Sequence, residues 1–177
     1  MKKLTLIVAF VGMTMLQACS NNTDTVTVDN TVYPQVYEIR NANFGLDPNE
    51  GYLIRQDFPA SLEVLQQDVV LMYRLSGTVD SNTPIWQQIP RTLYLPEGEL
   101  DYDFDFTKND FSIYAGGTYD LALTPTYINN ETFRIVIIPT VYVNKVAVQG
   151  TKALDYSNYE EVIKALKIDI KQVKVLN

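Results

Sequence analysis

Asp101, Asp103 and Asp105 are the first residues of this chain that could do chemistry, because Asp-x-Asp-x-Asp opens many calcium-binding loops. The rest of such a loop is missing: Phe106 stands where the sixth position needs glycine, and Ser112 where the twelfth needs glutamate. In an extended strand these alternate side chains would lie about 6.7 Å apart on one face, too far for three to share one ion. The run therefore reads as a solvated strand face, backed by Leu100, Tyr102, Phe104 and Phe106. Asp47, Asn49 and Glu50 form a second acidic group, and with Pro48 and Gly51 they have the composition of a turn. Trp86, flanked by Gln87, Gln88 and Arg91, carries the chemistry of a sugar platform: an indole face stacks on a pyranose ring and amides bind its hydroxyls. It is the candidate ligand-binding residue, and its competing role is that of a core indole. Paired carboxylates could also hydrolyse glycosides, but among 21 acids no spacing singles out a pair.

Composition narrows the chemistry further. Histidine is absent and there is one cysteine. This removes the Ser-His-Asp and Cys-His constellations and the usual zinc and iron ligands, and it leaves no disulfide to staple the fold. No cofactor and no metal site is expected.

The single cysteine has its own context. Lys2 and Lys3 precede an apolar run from Leu4 to Leu16, which small residues close before Cys19: the order of a secretory signal. The run is short of the roughly 20 residues that cross a bilayer. Leu16-Gln17-Ala18-Cys19 resembles the bacterial lipobox, in which the cysteine thiol takes a diacylglycerol and becomes the first residue of the mature chain. Cys19 is thus the expected lipidation site, and two or more acyl chains make such anchoring stable. Residues 1–18 are read as the signal peptide, 19–31 as a polar tether and 32–177 as the folded domain. After loss of 1–18 the chain has 159 residues, 12 basic and 21 acidic, a net charge of −9. That size suits one core. The balance disfavours nucleic acid and anionic lipid as partners, since both need clustered Lys and Arg. In the tether, Asp24-Thr25-Val26 resembles the short O-glycosylation signal of exported Bacteroidota proteins, which makes Thr25 a candidate glycosylation site.

From Val32 onward, short alternating or fully apolar runs are bounded by Gly, Pro, Asn and Asp. Val36 to Arg40, Tyr52 to Phe58, Glu99 to Phe106 and Phe111 to Tyr114 read as strands. Val69 to Leu75 and Phe133 to Ile138 are apolar on both faces, the mark of strands covered on both sides. Gly77 to Pro84 reads as a polar loop, and Trp86 to Leu95 as a strand that Pro90 interrupts at an edge or bulge. Gly116-Gly117 reads as a hairpin turn, from which Thr118 to Leu123 pairs back. Ser157-Asn158-Tyr159-Glu160 is a capping box before a short helix, about 158–166, and Ile168 to Val175 alternates as a last strand. Eight or nine strands with one late helix predict a mainly β chain, an immunoglobulin-like antiparallel β-sandwich with one short C-terminal helix.

Four stretches carry a family resemblance: Asp68 to Leu75, Ile85 to Thr92, Leu100 to Thr107 and Phe133 to Pro139. With the Ser157 to Glu161 run, they resemble small uncharacterised lipoproteins of Bacteroidota, some of which carry a collagen-like Gly-x-y segment between lipobox and domain. This chain has only the polar tether there. The resemblance implies a cell-envelope location and carries no activity, so no functional residue is transferred. Ser20 and Asn21 do not resemble the aspartate-based inner-membrane retention signal, which favours the outer membrane, periplasmic or surface-exposed. The expected function is a non-enzymatic, lipid-anchored structural or interaction module of the envelope, attached to the membrane through its N-terminal lipid. The alternatives are a glycan- or peptide-binding surface lipoprotein with a glycan or envelope protein as partner, and, behind it, an acid-residue hydrolase.

Overall fold

The computed structural model describes residues 33–80, 82–142 and 154–176. Ten strands form two five-stranded sheets. The first sheet has the order β10-β1-β9-β4-β5, with β1 Gln35–Ala42, β4 Val69–Asp80, β5 Thr83–Ile89, β9 Glu131–Ile138 and β10 Lys174–Leu176. The second has the order β2-β3-β8-β7-β6, with β2 Gly45–Asp47, β3 Gly51–Asp57, β6 Arg91–Leu95, β7 Gly98–Phe106 and β8 Asp110–Gly117. All neighbours are antiparallel except β10, which lies parallel to β1 with Tyr37 opposite Lys174. The fold is a mainly β sandwich with one short C-terminal helix, α1 Tyr159–Ala165.

The two kinds of strand pattern follow from a third layer. Between the sheets, Tyr37, Val70, Met72, Ile89, Leu100, Tyr102, Phe111, Ile113, Phe133, Ile135 and Ile137 make the main core. On the other side of the first sheet, Val36, Leu71, Tyr73, Val136 and Ile138 meet Tyr159, Val162 and Leu166 of the helical segment in a second core. The first sheet is therefore covered on both faces, and β4 and β9 are apolar at successive positions. The second sheet faces solvent on its outer side, where Arg55, Asp57, Asp103 and Asp105 are exposed, so β3 and β7 alternate.

Four expectations are corrected. Gly77 to Pro84 is not a loop: β4 and β5 continue through it as a hairpin with bulges, closed by the Asp80 carboxylate accepting from the backbone N–H groups of Asn82 and Thr83, each at 2.8 Å. Its polarity reflects exposure, not the lack of a ladder. Gly116 and Gly117 do not form a turn. They end β8 within the sheet, opposite Asp101 and Leu100, and a Cβ on Gly117 would stand 2.7 Å from the Glu99 carbonyl oxygen and 2.8 Å from Leu121 Cδ2. Position 117 needs glycine for that close approach. The residues that follow coil into a 3-10 turn, Leu121–Leu123, whose N-terminal N–H of Ala122 donates to Asp120.

The cap of α1 is Asn158, whose side chain accepts from the Glu161 N–H at 3.1 Å, while Ser157 donates to Asp155 instead. Finally, Asp169 caps a 3-10 turn at Ile170–Gln172, which shortens the last strand to Lys174–Leu176. Pro90 does mark an edge, and on both sheets at once: the chain leaves β5, the edge of the first sheet, and enters β6, the edge of the second, through a cis Ile89-Pro90 bond.

Candidate functional site

Trp86 lies on β5 and points to the helical side of the first sheet, where it is half-buried. The Arg134 guanidinium sits 4.2 Å from its ring centroid, and the Tyr159 ring tilts against it at 5.5 Å between centroids. Trp86 Nε1 is fully buried and has no hydrogen-bond partner. Arg134, on β9, donates from Nε to Glu38 of β1 at 2.6 Å and from a terminal nitrogen to the Tyr159 hydroxyl. Glu38, only 3% exposed, also accepts from Arg40. Burial pushes the Glu38 carboxyl up, but the hydrogen bonds from Arg134 and Arg40 outweigh it and hold the group below the usual glutamate range. Tyr73 donates to the Tyr156 carbonyl at 2.6 Å and packs edge-on against Tyr159 at 5.1 Å, and burial raises both phenols. Together these groups form a polar joint that fixes α1 to the sheet.

A groove of about 400 Å³ opens beside this joint, lined by Pro84, Trp86, Ser157, Asn158, Tyr159 and Glu160. Successive strand residues alternate faces, so Gln87 points away from the Trp86 side, whereas Gln88, opposite Tyr73, stays on it. Arg91 is on β6 of the second sheet. The structure thus takes Gln87 and Arg91 away from the platform that sequence proximity suggests, leaves Gln88 on the Trp86 side, and adds polar groups from the start of α1. A second, larger cleft of about 870 Å³ lies between residues 60–66 and the β7–β8 turn, with Leu62, Val64, Leu65, Phe106 and Lys108 among its walls.

On the inner side of the first sheet, Arg74 of β4 and Glu131 of β9 form a bidentate pair at 2.6 and 2.9 Å. The pair is closed over by Tyr102, whose centroid is 4.8 Å from the guanidinium carbon, and by Tyr127 at 5.7 Å. Tyr102 in turn donates to the Tyr127 carbonyl at 2.6 Å. Burial raises the Glu131 carboxyl against the opposing pull of Arg74. No sequence pattern marks this pair, because its members are 57 residues apart.

The acidic runs are each spent on local structure. Asp101 accepts from Thr92, Asp103 from its neighbour's N–H at Phe104, and Asp105 from the Tyr114 hydroxyl. Asp47 accepts from the backbone of Asn49 and Glu50, which hold its carboxyl below the usual range, and Glu50 pairs with Arg55 at 3.1 Å. Among the described residues no three His, Cys, Asp or Glu side chains are placed to hold a metal ion. Cys19 and Thr25 lie outside the described residues.

No family model, curated protein or solved structure matches the chain.

Proposed function

We propose that this protein is a lipid-anchored β-sandwich of the cell envelope, acting as a non-enzymatic structural or interaction module. The observation that carries the reading is the N-terminal order of Lys2-Lys3, an apolar run and Leu16-Gln17-Ala18-Cys19. The resemblance to small Bacteroidota lipoproteins supports the same location, and the residues after Cys19 favour the outer membrane. Glu38 with Arg134 and Arg74 with Glu131 satisfy one another as ion pairs, which supports a structural role for these groups.

The test is Cys19→Ala in cells, with membranes washed at high salt before blotting. The variant is expected to leave the washed membrane fraction while the wild type stays. Equal retention of both would overturn the reading. Protease shaving of intact cells then assigns the leaflet, with loss of the wild-type band expected for a surface-exposed domain and protection for a periplasmic one.

A second reading, glycan binding through Trp86, draws on the groove that this indole shares with Ser157 and Asn158. It needs an indole that solvent can reach, and a quenching measurement given below decides that.

A further inference from the structure

We propose that the end of the sandwich at which the chain enters, tipped by Tyr33, Val141, Leu65 and Phe106, dips into the headgroup layer of the bilayer, so that the domain is held by an apolar tip as well as by its lipid. The proposal rests on the lipid-anchored reading for its setting. Strand register and hydrogen bonds place the four residues at one end. Gln35 at the start of β1 lies opposite Ile137, and Val69 at the start of β4 lies opposite Ile138, so β1 begins, β9 ends and β4 begins together. In the second sheet Asp57, the last residue of β3, lies opposite Asp110, the first of β8, and the Phe58 N–H donates to the Asn109 carbonyl at 2.7 Å. Residues 59–68 join β3 to β4 across this end. Within that connection Asp68 accepts from the N–H groups of Leu65 at 2.9 Å and Thr140 at 3.3 Å, and the Thr140 hydroxyl donates to the Gln67 carbonyl. These bonds set Val141 beside the connection that carries Leu65. Tyr33 packs on Tyr142 at 6.5 Å between ring centroids, and Leu65 and Phe106 line one cleft, the larger of the two described above.

The chemistry of this end suits a lipid interface. Tyr33 and Val141 are 59% and 57% exposed, and Leu65 and Phe106 are 43% and 37% exposed. Below them Val64 is buried and Leu62 half-buried, so the cleft has an apolar floor. The charges on its rim, Glu63 and Lys108, cancel. Asp68 is buried and bonded as described, Asp110 accepts from the Thr107 hydroxyl, and Asp57 and Asp105 stand on the outer side of the second sheet. Exposed aliphatic and aromatic side chains, with a tyrosine among them, are what the boundary between headgroups and acyl chains accepts.

Exposure alone does not choose an end, because Val79, ten residues further along β4 and roughly 33 Å away, is 74% exposed. The choice is made by the chain's entry. Tyr33 leads into β1 at this end, and only fourteen residue steps separate it from Cys19, a reach of at most about 50 Å. A domain held at Cys19 therefore hangs from the bilayer by its apolar tip. A tether this short gives the tip an effective concentration on the order of millimolar at the surface, so a patch too small to bind as a free domain is still engaged.

The experiment couples the chain from position 19 onward, made without acylation, through its one thiol at Cys19 to a maleimide-headgroup lipid in phosphatidylcholine vesicles. Leu65→Trp and Val79→Trp each add one reporter to the native Trp86, and a nitroxide placed near the lipid headgroup quenches an indole that reaches its depth. An interfacial side chain sits about 5–10 Å into that region, so the emission added by Leu65→Trp should be quenched at least about twofold more than that added by Val79→Trp. The difference should be the same at about 0.1 M and about 0.5 M salt, because the contact is not ionic. Adding Tyr33→Asp and Val141→Asp to Leu65→Trp should remove most of it, with circular dichroism and melting as the check on the fold. Phe106→Trp is the second reporter for the case in which Leu65→Trp does not fold. Equal quenching of the tip and Val79 reporters, stronger quenching of Val79→Trp, loss of the difference at high salt, or its persistence in the folded aspartate variant would overturn the proposal. Because chemical coupling replaces acylation by the cell, failure here is separate from failure of the Cys19→Ala fractionation.

Discussion

Arg74→Met leaves Glu131 as a buried carboxylate without its two charge-assisted hydrogen bonds, and its cost can be worked from the geometry. The pair is bidentate at 2.6 and 2.9 Å, its side chains are 9% and 5% exposed, and the Tyr102 and Tyr127 rings cover the guanidinium. Methionine keeps most of the stem volume, so the loss is electrostatic. Breaking one side of a buried pair costs about 3–5 kcal/mol, whereas exchanging both partners for apolar residues is often neutral. Glu131 already sits above its ordinary pKa because burial outweighs Arg74.

Without the cation, burial acts alone and the folded-state pKa rises further. A carboxyl whose folded pKa is raised binds its proton more tightly in the native state, so stability falls as pH climbs from the unfolded value of about 4.3 through the raised one. Urea unfolding of Arg74→Met should therefore show a loss of about 3–5 kcal/mol at pH 7 and a distinctly smaller loss near pH 5. The double variant Arg74→Met/Glu131→Leu should return to within about 1 kcal/mol of the wild type. A loss under about 1 kcal/mol at pH 7, or one that does not change with pH, would refute the reasoning by showing that water solvates Glu131 in the folded state.

Glu38 behaves with the opposite sign. Its folded pKa is lowered because Arg134 and Arg40 outweigh burial, so its contribution is complete above the unfolded value of about 4.3 and is lost as pH falls through the lower folded value. Glu38→Gln should cost about 1–3 kcal/mol at pH 7 and flatten the acid limb of stability below about pH 4.5, as urea unfolding between pH 3 and 7 will show. Trp86 fluorescence should be blue-shifted and insensitive to iodide, and Tyr159→Ala should shift it to the red by opening the joint. Ready quenching in the wild type would instead favour the glycan reading.

Much of the sandwich was legible because its cause is local. Successive apolar residues from Val69 to Leu75 and from Phe133 to Ile138 report cover on two faces, and the alternation of β3 and β7 reports one open face. Boundaries failed where the same residue types serve two purposes. Glycines that end a hairpin also admit close backbone approach, and Gly117 does the second. Ser157 and Asn158 can each cap a helix, and packing of Tyr159 and Val162 on the sheet selects the frame that Asn158 starts.

The polar joints were invisible for another reason: Arg74 finds Glu131, and Glu38 finds Arg134, only after the strands have paired. Grouping Trp86 with Gln87 and Arg91 assumed that sequence neighbours share a surface, whereas alternation and the sheet change at Pro90 separate them.

The parallel pairing of the last strand with the first has a consequence for the order in which the protein can be made. Glu38 of β1 meets its partner on β9 96 residues later, and Gln35 meets Lys174 of β10 139 residues later. A chain that emerges N-terminus first, from a ribosome or through a translocation pore, thus presents β1 long before either neighbour exists. Closing so long a loop is entropically expensive and slow. The first sheet can be completed only once nearly the whole chain has emerged, so its two flanking strands close last.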